Sequence, residues 1–126
     1  MSDEITITIP RERDFYRVAH LVVGGLAVRL DLTFEHLEDL QIAVAGLLGG
    51  EGDGIGDVTV AVRIEGEELA TAVGPIEHES FRAELENGGD GIGIRRILDT
   101  VCDSVDLVER EGAPWVELRK TIRREG

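Results

Sequence analysis

Two glycines are the residues of this chain whose type and spacing come nearest to a chemical motif. Gly91 and Gly93 stand directly before a segment with helical periodicity that begins at Ile94. Glycines at the start of a helix allow backbone amides to approach an anion, and the helix dipole favours negative charge there. The pattern is therefore compatible with phosphate binding. A Gly-x-Gly pair is also a common way to begin a helix, and we favour this structural role.

The other side chains capable of catalysis or metal binding lack a functional spacing. The three histidines fall in separate predicted elements, so we expect no zinc or iron site: His20, His36 and His78. The single cysteine, Cys102, lies beside Val101 on the apolar side of a predicted helix, where we expect a buried and unreactive thiol. The acidic residues near the glycine-rich loop 49–56 do not follow the EF-hand pattern, which favours a solvated loop without calcium: Glu51, Asp53 and Asp57.

Length and charge limit the classes of protein to which the chain can belong. Its 126 residues predict a single domain, residues 1–126, and the 42% apolar content favours a globular fold. The 26 acidic and 13 basic residues give a net charge of −13, which repels nucleic acid, so we expect no direct contact with DNA or RNA. The simpler interpretation of this acidity is solubility, and the binding of a basic protein partner is the alternative.

No membrane or secretory segment is expected. The longest apolar run, 21–30, contains Arg29 and is shorter than the roughly 20 residues of a membrane span. The N-terminus lacks the basic and apolar regions of a secretory signal, and a lone cysteine cannot form an intrachain disulfide. We therefore predict a cytoplasmic protein.

Hydrophobic periodicity predicts five strands and three helices. Alternation with a period of two indicates strands at 5–9, 58–64, 69–73, 105–107 and 115–122. Apolar spacing of three and four indicates helices at 11–30, 34–48 and 94–101. The second helix has Thr33 as its N-cap and ends at Gly49 and Gly50. Residues 74–90 are predicted as a lid-like loop with one helical turn near 80–85. This order of elements predicts a two-layer α/β sandwich, with a mixed sheet covered on one face by helices.

Three segments of the chain carry a resemblance to a known family. They are Gly25-Leu26-Ala27-Val28-Arg29-Leu30, residues 34–44 (FEHLEDLQIAV), and residues 91–99 (GIGIRRILD) with the strand 104–107 that follows. In this order they resemble the anti-sigma-factor serine kinases of the GHKL ATPase superfamily, over nearly the whole chain. The resemblance implies the Bergerat fold, which is the histidine-kinase-like ATPase sandwich.

The resemblance also implies that the nucleotide-handling side chains of that family are missing here. The family's general base and, four residues later, its magnesium ligand correspond to Gly46 and Gly50, and glycine has no side chain for either role. The adenine-binding aspartate corresponds to Ala72, whose side chain cannot accept a hydrogen bond. Three glycines are left as weak, vestigial nucleotide contacts: Gly74, Gly91 and Gly93. We therefore expect neither ATP nor magnesium as a cofactor, no catalytic residue and no metal site.

Protein binding without catalysis is the function that these residues favour. By resemblance, the partner is a sigma factor or a protein of the anti-anti-sigma type. Two alternatives stay open: an active ATP-dependent serine kinase with divergent motifs, and an acidic scaffold domain unrelated to transcription. The first helix has a wider apolar surface than one sheet covers, so we predict a homodimer or a heterocomplex through it, with Val22 and Leu26 at the interface.

Overall fold

A five-stranded sheet is the frame of the computed structural model, which describes residues 4–86 and 93–122. The strands lie in the order β1-β2-β3-β5-β4. In chain order the elements are β1 (Glu4–Pro10), α1 (Arg13–Arg29), α2 (Phe34–Glu51), β2 (Asp57–Glu65), β3 (Glu68–Gly74), α3 (Glu79–Glu86), α4 (Ile94–Val101), β4 (Ser104–Arg110) and β5 (Ala113–Thr121). Helices cover one face of the sheet, so the predicted two-layer α/β sandwich is confirmed.

Every strand pair of this sheet is antiparallel, which corrects the predicted mixed sheet. The register of β1 with β2 shows that the chain has reversed its direction after the two helices between these strands. Hairpins then join β2 to β3 and β4 to β5. Their turns contain Gly66 and Gly112, whose φ angles of 62° and 79° lie in the left-handed region that favours glycine.

One face of the sheet packs against the inner sides of the helices to form the hydrophobic core. The alternation predicted along β2 is present, because Val58, Val60 and Val62 are at most 1% exposed. They share one core cluster with residues that recur every three or four positions in α1 and α2: Ala19, Val23, Leu26, Leu40, Val44 and Leu47. Burial of each valine or leucine contributes about 1.5–3 kcal/mol, so this packing holds the helix layer on the sheet.

The opposite face of the sheet carries small residues and charged side chains. Ala61 and Ala72 are neighbours across β2 and β3 on this face. Arg119 lies 3.0 Å from a carboxylate oxygen of Glu65 and 2.8 Å from one of Glu117. Partly exposed ion pairs such as these add little stability. The alanines of this face, Ala61 and Ala72, are 3% and 0% exposed, so the charged side chains form its outer surface.

Helix α2 begins where the sequence indicates and ends one residue later. Thr33 Oγ1 accepts a hydrogen bond from the backbone N–H of His36 at 3.1 Å, which confirms the predicted N-cap. The helix continues through Gly49 and Gly50 to Glu51 and is followed by Gly52, whose φ angle is 60°. The predicted end at the two glycines is therefore corrected. Glu51 is 1% exposed, so its anchored side chain holds the last turn in helical conformation.

Residues 79–86 form helix α3, where the sequence predicts a loop with one helical turn. Phe81 and Leu85, four positions apart, are 6% and 0% exposed, and the other six residues of the helix are exposed. Two apolar residues are too few to establish helical periodicity in a sequence. Tertiary packing of this single apolar edge, and not propensity, defines the helix.

Helix α1 has two apolar sides. Its inner side includes Leu26, which is 7% exposed and lies in the core, so its predicted place at an interface is corrected. Its outer side carries Leu21 and Val28, which are 73% and 86% exposed, and Val22 is partly buried. None of the helices in the described ranges reaches the length and hydropathy of a transmembrane span.

Candidate functional site

A cleft of about 300 Å³ opens where α2, α3 and α4 meet. Two glycines from consecutive turns of α2, Gly46 and Gly50, form one wall. The other walls are side chains of the two shorter helices: Ser80, Phe81, Glu84 and Ile94. The two positions that the family resemblance assigns to a base and a metal ligand therefore share one cleft, as those two roles require.

Apolar side chains lie directly against the backbone of both α2 glycines. A β-carbon at position 50 would lie 2.1 Å from Cε1 of Phe81, and one at position 46 would lie 2.4 Å from Cδ1 of Ile94. Carbon atoms in contact are normally about 3.5–4.0 Å apart. Ile94 can turn its terminal methyl group aside, whereas the buried ring of Phe81 can yield only by leaving its site. Gly50 is thus a packing residue, because its missing side chain admits the ring.

A carboxylate lies at the N-terminus of α4. Glu84 Oε1 accepts a hydrogen bond from the backbone N–H of Ile94 at 3.3 Å. The same oxygen would lie 3.0 Å from a β-carbon at Gly93, the N-cap residue of the helix. The unpaired amides and the dipole of a helix N-terminus favour an anion at this place. The protein supplies that anion from its own chain.

A buried ion pair connects the end of α2 to the segment that leads into α3. Arg11 and Glu51 are 0% and 1% exposed, and Arg11 Nη1 donates to Glu51 Oε1. The carboxylate also accepts from the backbone N–H groups of Glu77 at 2.9 Å and His78 at 3.3 Å. Arg11 also donates to the carbonyl group of Ile55 in the glycine-rich loop at 3.2 Å and to that of Asp57, the first residue of β2, at 2.8 Å. Buried charges are tolerated when they are paired and hydrogen-bonded in this way.

Sequence reasoning missed this pair and assigned Glu51 to a solvated loop, which the structure corrects. Asp53 and Asp57 are exposed, as predicted. Forty positions separate Arg11 from Glu51, so no local pattern joins them. One signal was present: Glu51 continues the buried spacing of Val44 and Leu47 along α2. A carboxylate on the apolar side of a helix indicates a buried partner.

Comparison with known proteins identifies sequences that are similar to this chain. No protein-family model matches the chain. The chain resembles the serine-protein kinase RsbW. The RsbW of Halalkalibacterium halodurans is 27% identical over 87% of the chain and 78% of the kinase. The RsbW of Listeria innocua is 26% identical over 92% and 86%, and that of Bacillus cereus is 21% identical over 98% and 88%. The similarity to RsbW thus extends over most of both chains.

Two positions that the family resemblance assigns to nucleotide handling, Ala72 and Gly74, lie on the face of the sheet away from this cleft. Ala72 pairs with Ala61 there, whereas its neighbour Val73 lies in the core. Neither Ala72 nor Val73 has a hydrogen-bond acceptor in its side chain. A β-carbon at Gly74 would lie 2.5 Å from Cδ2 of Trp115, so this glycine packs beneath the indole ring.

The remaining candidate side chains do not converge on the cleft. Cys102 directly follows α4 instead of lying within it, and burial raises the pKa of its thiol to about 11. Each histidine lies on a different segment: His20, His36 and His78. In the described parts of the chain, no cluster of three or more histidine, cysteine or acidic side chains is arranged to hold a metal ion. Gly91 lies outside the described residues, so a phosphate contact through Gly91 and Gly93 stays a prediction.

Proposed function

We propose that the chain is an anti-sigma-factor-like regulatory domain that acts by binding another protein and has no kinase activity. The observation that carries this proposal is the packing of Phe81 against Gly50, at the position assigned to the magnesium ligand. Gly46, at the position assigned to the general base, has no side chain that could accept a proton. Phosphoryl transfer depends on metal-bridged phosphates and a positioned nucleophile, and these two glycines supply neither. Glu84 adds a negative charge that opposes a triphosphate.

Helix α1 is the surface that best suits a protein partner. Leu21 and Val28 are 73% and 86% exposed, and Phe15 and Val18 lie on the same helix at 39% and 43%. Large apolar side chains grouped on one exposed helix side are typical of an interface. We propose that this side forms a homodimer or a heterocomplex. The resemblance to the anti-sigma-factor kinases favours a sigma factor or an anti-anti-sigma protein as the heterologous partner, in the cytoplasm.

A basic edge adjoins this apolar side of α1. Arg13, Arg17 and His20 recur at intervals of four and three, so they share one side of the helix, and all three are exposed. Among the described residues, no ion pair uses their side chains. Unpaired basic groups in a chain of net charge −13 favour acidic residues on the partner. The partner surface that we propose is therefore apolar with an acidic border.

Nucleotide binding is the first test of the proposal. Calorimetry with ATP and magnesium should give no saturable heat in the micromolar range, while the RsbW of Listeria innocua, titrated under the same conditions, serves as the positive control. Incubation with labelled ATP and an anti-anti-sigma protein should leave that protein unphosphorylated. Micromolar ATP binding together with serine phosphorylation would establish the alternative, an active kinase, which the similarity to the RsbW kinases favours.

Partner binding is the second test. Purified chain is mixed with the sigma factors and anti-anti-sigma proteins of its own organism, and complexes are detected by light scattering. Replacing Leu21 with aspartate should weaken the complex or dimer by about five- to thirtyfold, because an exposed interface leucine contributes on the order of 1–2 kcal/mol. The matched control is Ile97→Asp on α4, whose side chain is 42% exposed and lies on a different helix. Equal weakening by both variants would contradict the assignment to α1.

A further inference from the structure

We infer that α3 is an internal plug: Phe81 occupies the space beside Gly50 and Glu84 the N-terminus of α4, so that α3 narrows the cleft between α2 and α4 as an intramolecular ligand would. This inference rests on the proposed function, because it explains how a chain without nucleotide keeps α3 against the cleft. The inference concerns the regulation of partner binding. The closed position of α3 is built into the fold, so that partner binding through the helix layer does not depend on ATP.

The start of the plug is held by the buried ion pair. Both oxygens of Glu51 accept hydrogen bonds from consecutive backbone amides, those of Glu77 and His78, immediately before α3. Arg11 Nη1 donates to the same carboxylate, and its Nε lies 3.7 Å from Glu77 Oε2. Hydrogen bonds to a charged group in a dry site are the stronger kind. Displacement of α3 therefore requires uncovering a carboxylate that is otherwise inaccessible to water.

The middle of the plug presents an aromatic ring and a carboxylate to the cleft. Phe81, 6% exposed, places its aromatic ring against the bare backbone of Gly50. Three residues later, on the same side of the helix, Glu84 places its carboxylate at the first turn of α4. An aromatic ring in a pocket next to an anion at a helix N-terminus is the pattern of a bound ligand. Here both groups come from one short helix of the same chain.

The end of the plug is tied to α4 and β4. Arg95 Nη1 donates to the backbone carbonyl of Leu85 at 2.8 Å, and Arg95 Nη2 donates to that of Val105 at 3.2 Å. Leu85 itself is fully buried. Since the last carbonyl groups of a helix have no partner within the helix, the guanidinium satisfies one of them. Contacts at the start, middle and end thus hold α3 in place without a ligand.

Hydrogen–deuterium exchange on the full chain, without nucleotide, tests the plug directly. Phe81→Ala should accelerate exchange of the α3 amides by at least about tenfold, with a much smaller change in β2 and β3, because the loss of a buried ring leaves a cavity. The matched control is Arg82→Ala on the same helix. It removes only the exposed pair with Glu86, so its effect should stay within about twofold.

Glu84→Ala is the second variant, and its exposed position keeps it from unfolding the domain. It should accelerate α3 exchange more than Arg82→Ala does. Equal rates for these two variants would overturn the carboxylate contact, and rapid α3 exchange in the unmodified chain would overturn the plug altogether.

ATP with magnesium should leave α3 exchange unchanged, and slowing by ATP would show a ligand-operated lid instead. Slow α3 exchange combined with calorimetric ATP binding would preserve the plug but refute the proposed loss of nucleotide binding, so the two failures are distinguishable.

Discussion

Glu51→Gln is the substitution that tests most severely whether the buried ion pair organises the cleft. Glutamine keeps the shape of the side chain and one carbonyl acceptor but removes the negative charge. Arg11 is 0% exposed and would then be a buried cation whose partners are two backbone carbonyls, the glutamine carbonyl and the half-exposed carboxylate of Glu77, 3.7 Å away. Breaking a buried pair by removing one charge costs about 3–5 kcal/mol. We expect the free energy of unfolding to fall by that amount.

The size of this effect in thermal unfolding follows from the length of the chain. An unfolding entropy of about 2.1 cal/mol/K per residue makes roughly 0.26 kcal/mol/K for the whole domain. The expected loss of stability therefore lowers Tm by about 11–19 °C. Urea unfolding followed by fluorescence of Trp115, the only tryptophan in the sequence, measures the free energy independently.

Two controls decide whether the charge is responsible. Glu86→Gln removes a carboxylate that pairs with Arg82 at the surface, where both side chains are about half exposed, and it should cost at most about 0.5 kcal/mol. The double variant Arg11→Met, Glu51→Leu replaces both charges by apolar groups and should recover much of the loss. A Glu51→Gln protein within about 1 kcal/mol of the original would refute our account of the pair.

Three further measurements address other parts of the chain. Gly50→Ala should destabilise the domain by about 1–3 kcal/mol in urea unfolding, because its β-carbon meets the ring of Phe81, whereas Gly49→Ala, with no atom within 4 Å of its β-carbon, should stabilise α2 by up to about 1 kcal/mol. The thiol of Cys102, with its pKa raised to about 11 by burial, should react with iodoacetamide near pH 7.5 about a hundredfold more slowly than a free cysteine. The hydrogen bond from the Thr121 backbone lowers the pKa of Asp103, so its stabilisation is present above about pH 4 and is lost as the pH falls through the lowered pKa. In acid titrations of stability, Asp103→Asn should therefore flatten this part of the curve, and an unchanged curve would contradict the assignment.

Elements with strong local patterns were predictable from the sequence, and those defined by distant contacts were not. The alternating valines of β2 and the Thr33 cap of α2 are local features, and both are confirmed. Helix α3 has only two apolar residues and depends on packing against α2, so periodicity could not reveal it. The antiparallel pairing of β3 with β5 joins strands that are far apart in the chain, and no local signal specifies it.

The candidate site was predictable only in its missing side chains. Glycine at positions 46 and 50 could be read directly from the sequence. The side chains that lie opposite these glycines, Phe81 and Glu84, are about thirty or more positions farther along the chain. Their position depends on the segment 75–78, whose backbone N–H groups bind the carboxylate of Glu51. The face on which Ala72 lies was likewise not available before the strand register was known, because a shift of one residue exchanges the two faces.

The contact between Phe81 and Gly50 also restricts which single substitutions the chain can accept at positions 50 and 81. Any residue larger than glycine at position 50 puts a carbon 2.1 Å from the aromatic ring, so a single substitution there to a side chain that could hold a metal ion lowers stability. The ring at position 81 must first become smaller, and that step alone leaves a cavity in the closed cleft. Each single step toward a kinase-like site thus lowers stability. A metal-binding side chain at position 50 therefore requires paired substitutions at positions 50 and 81.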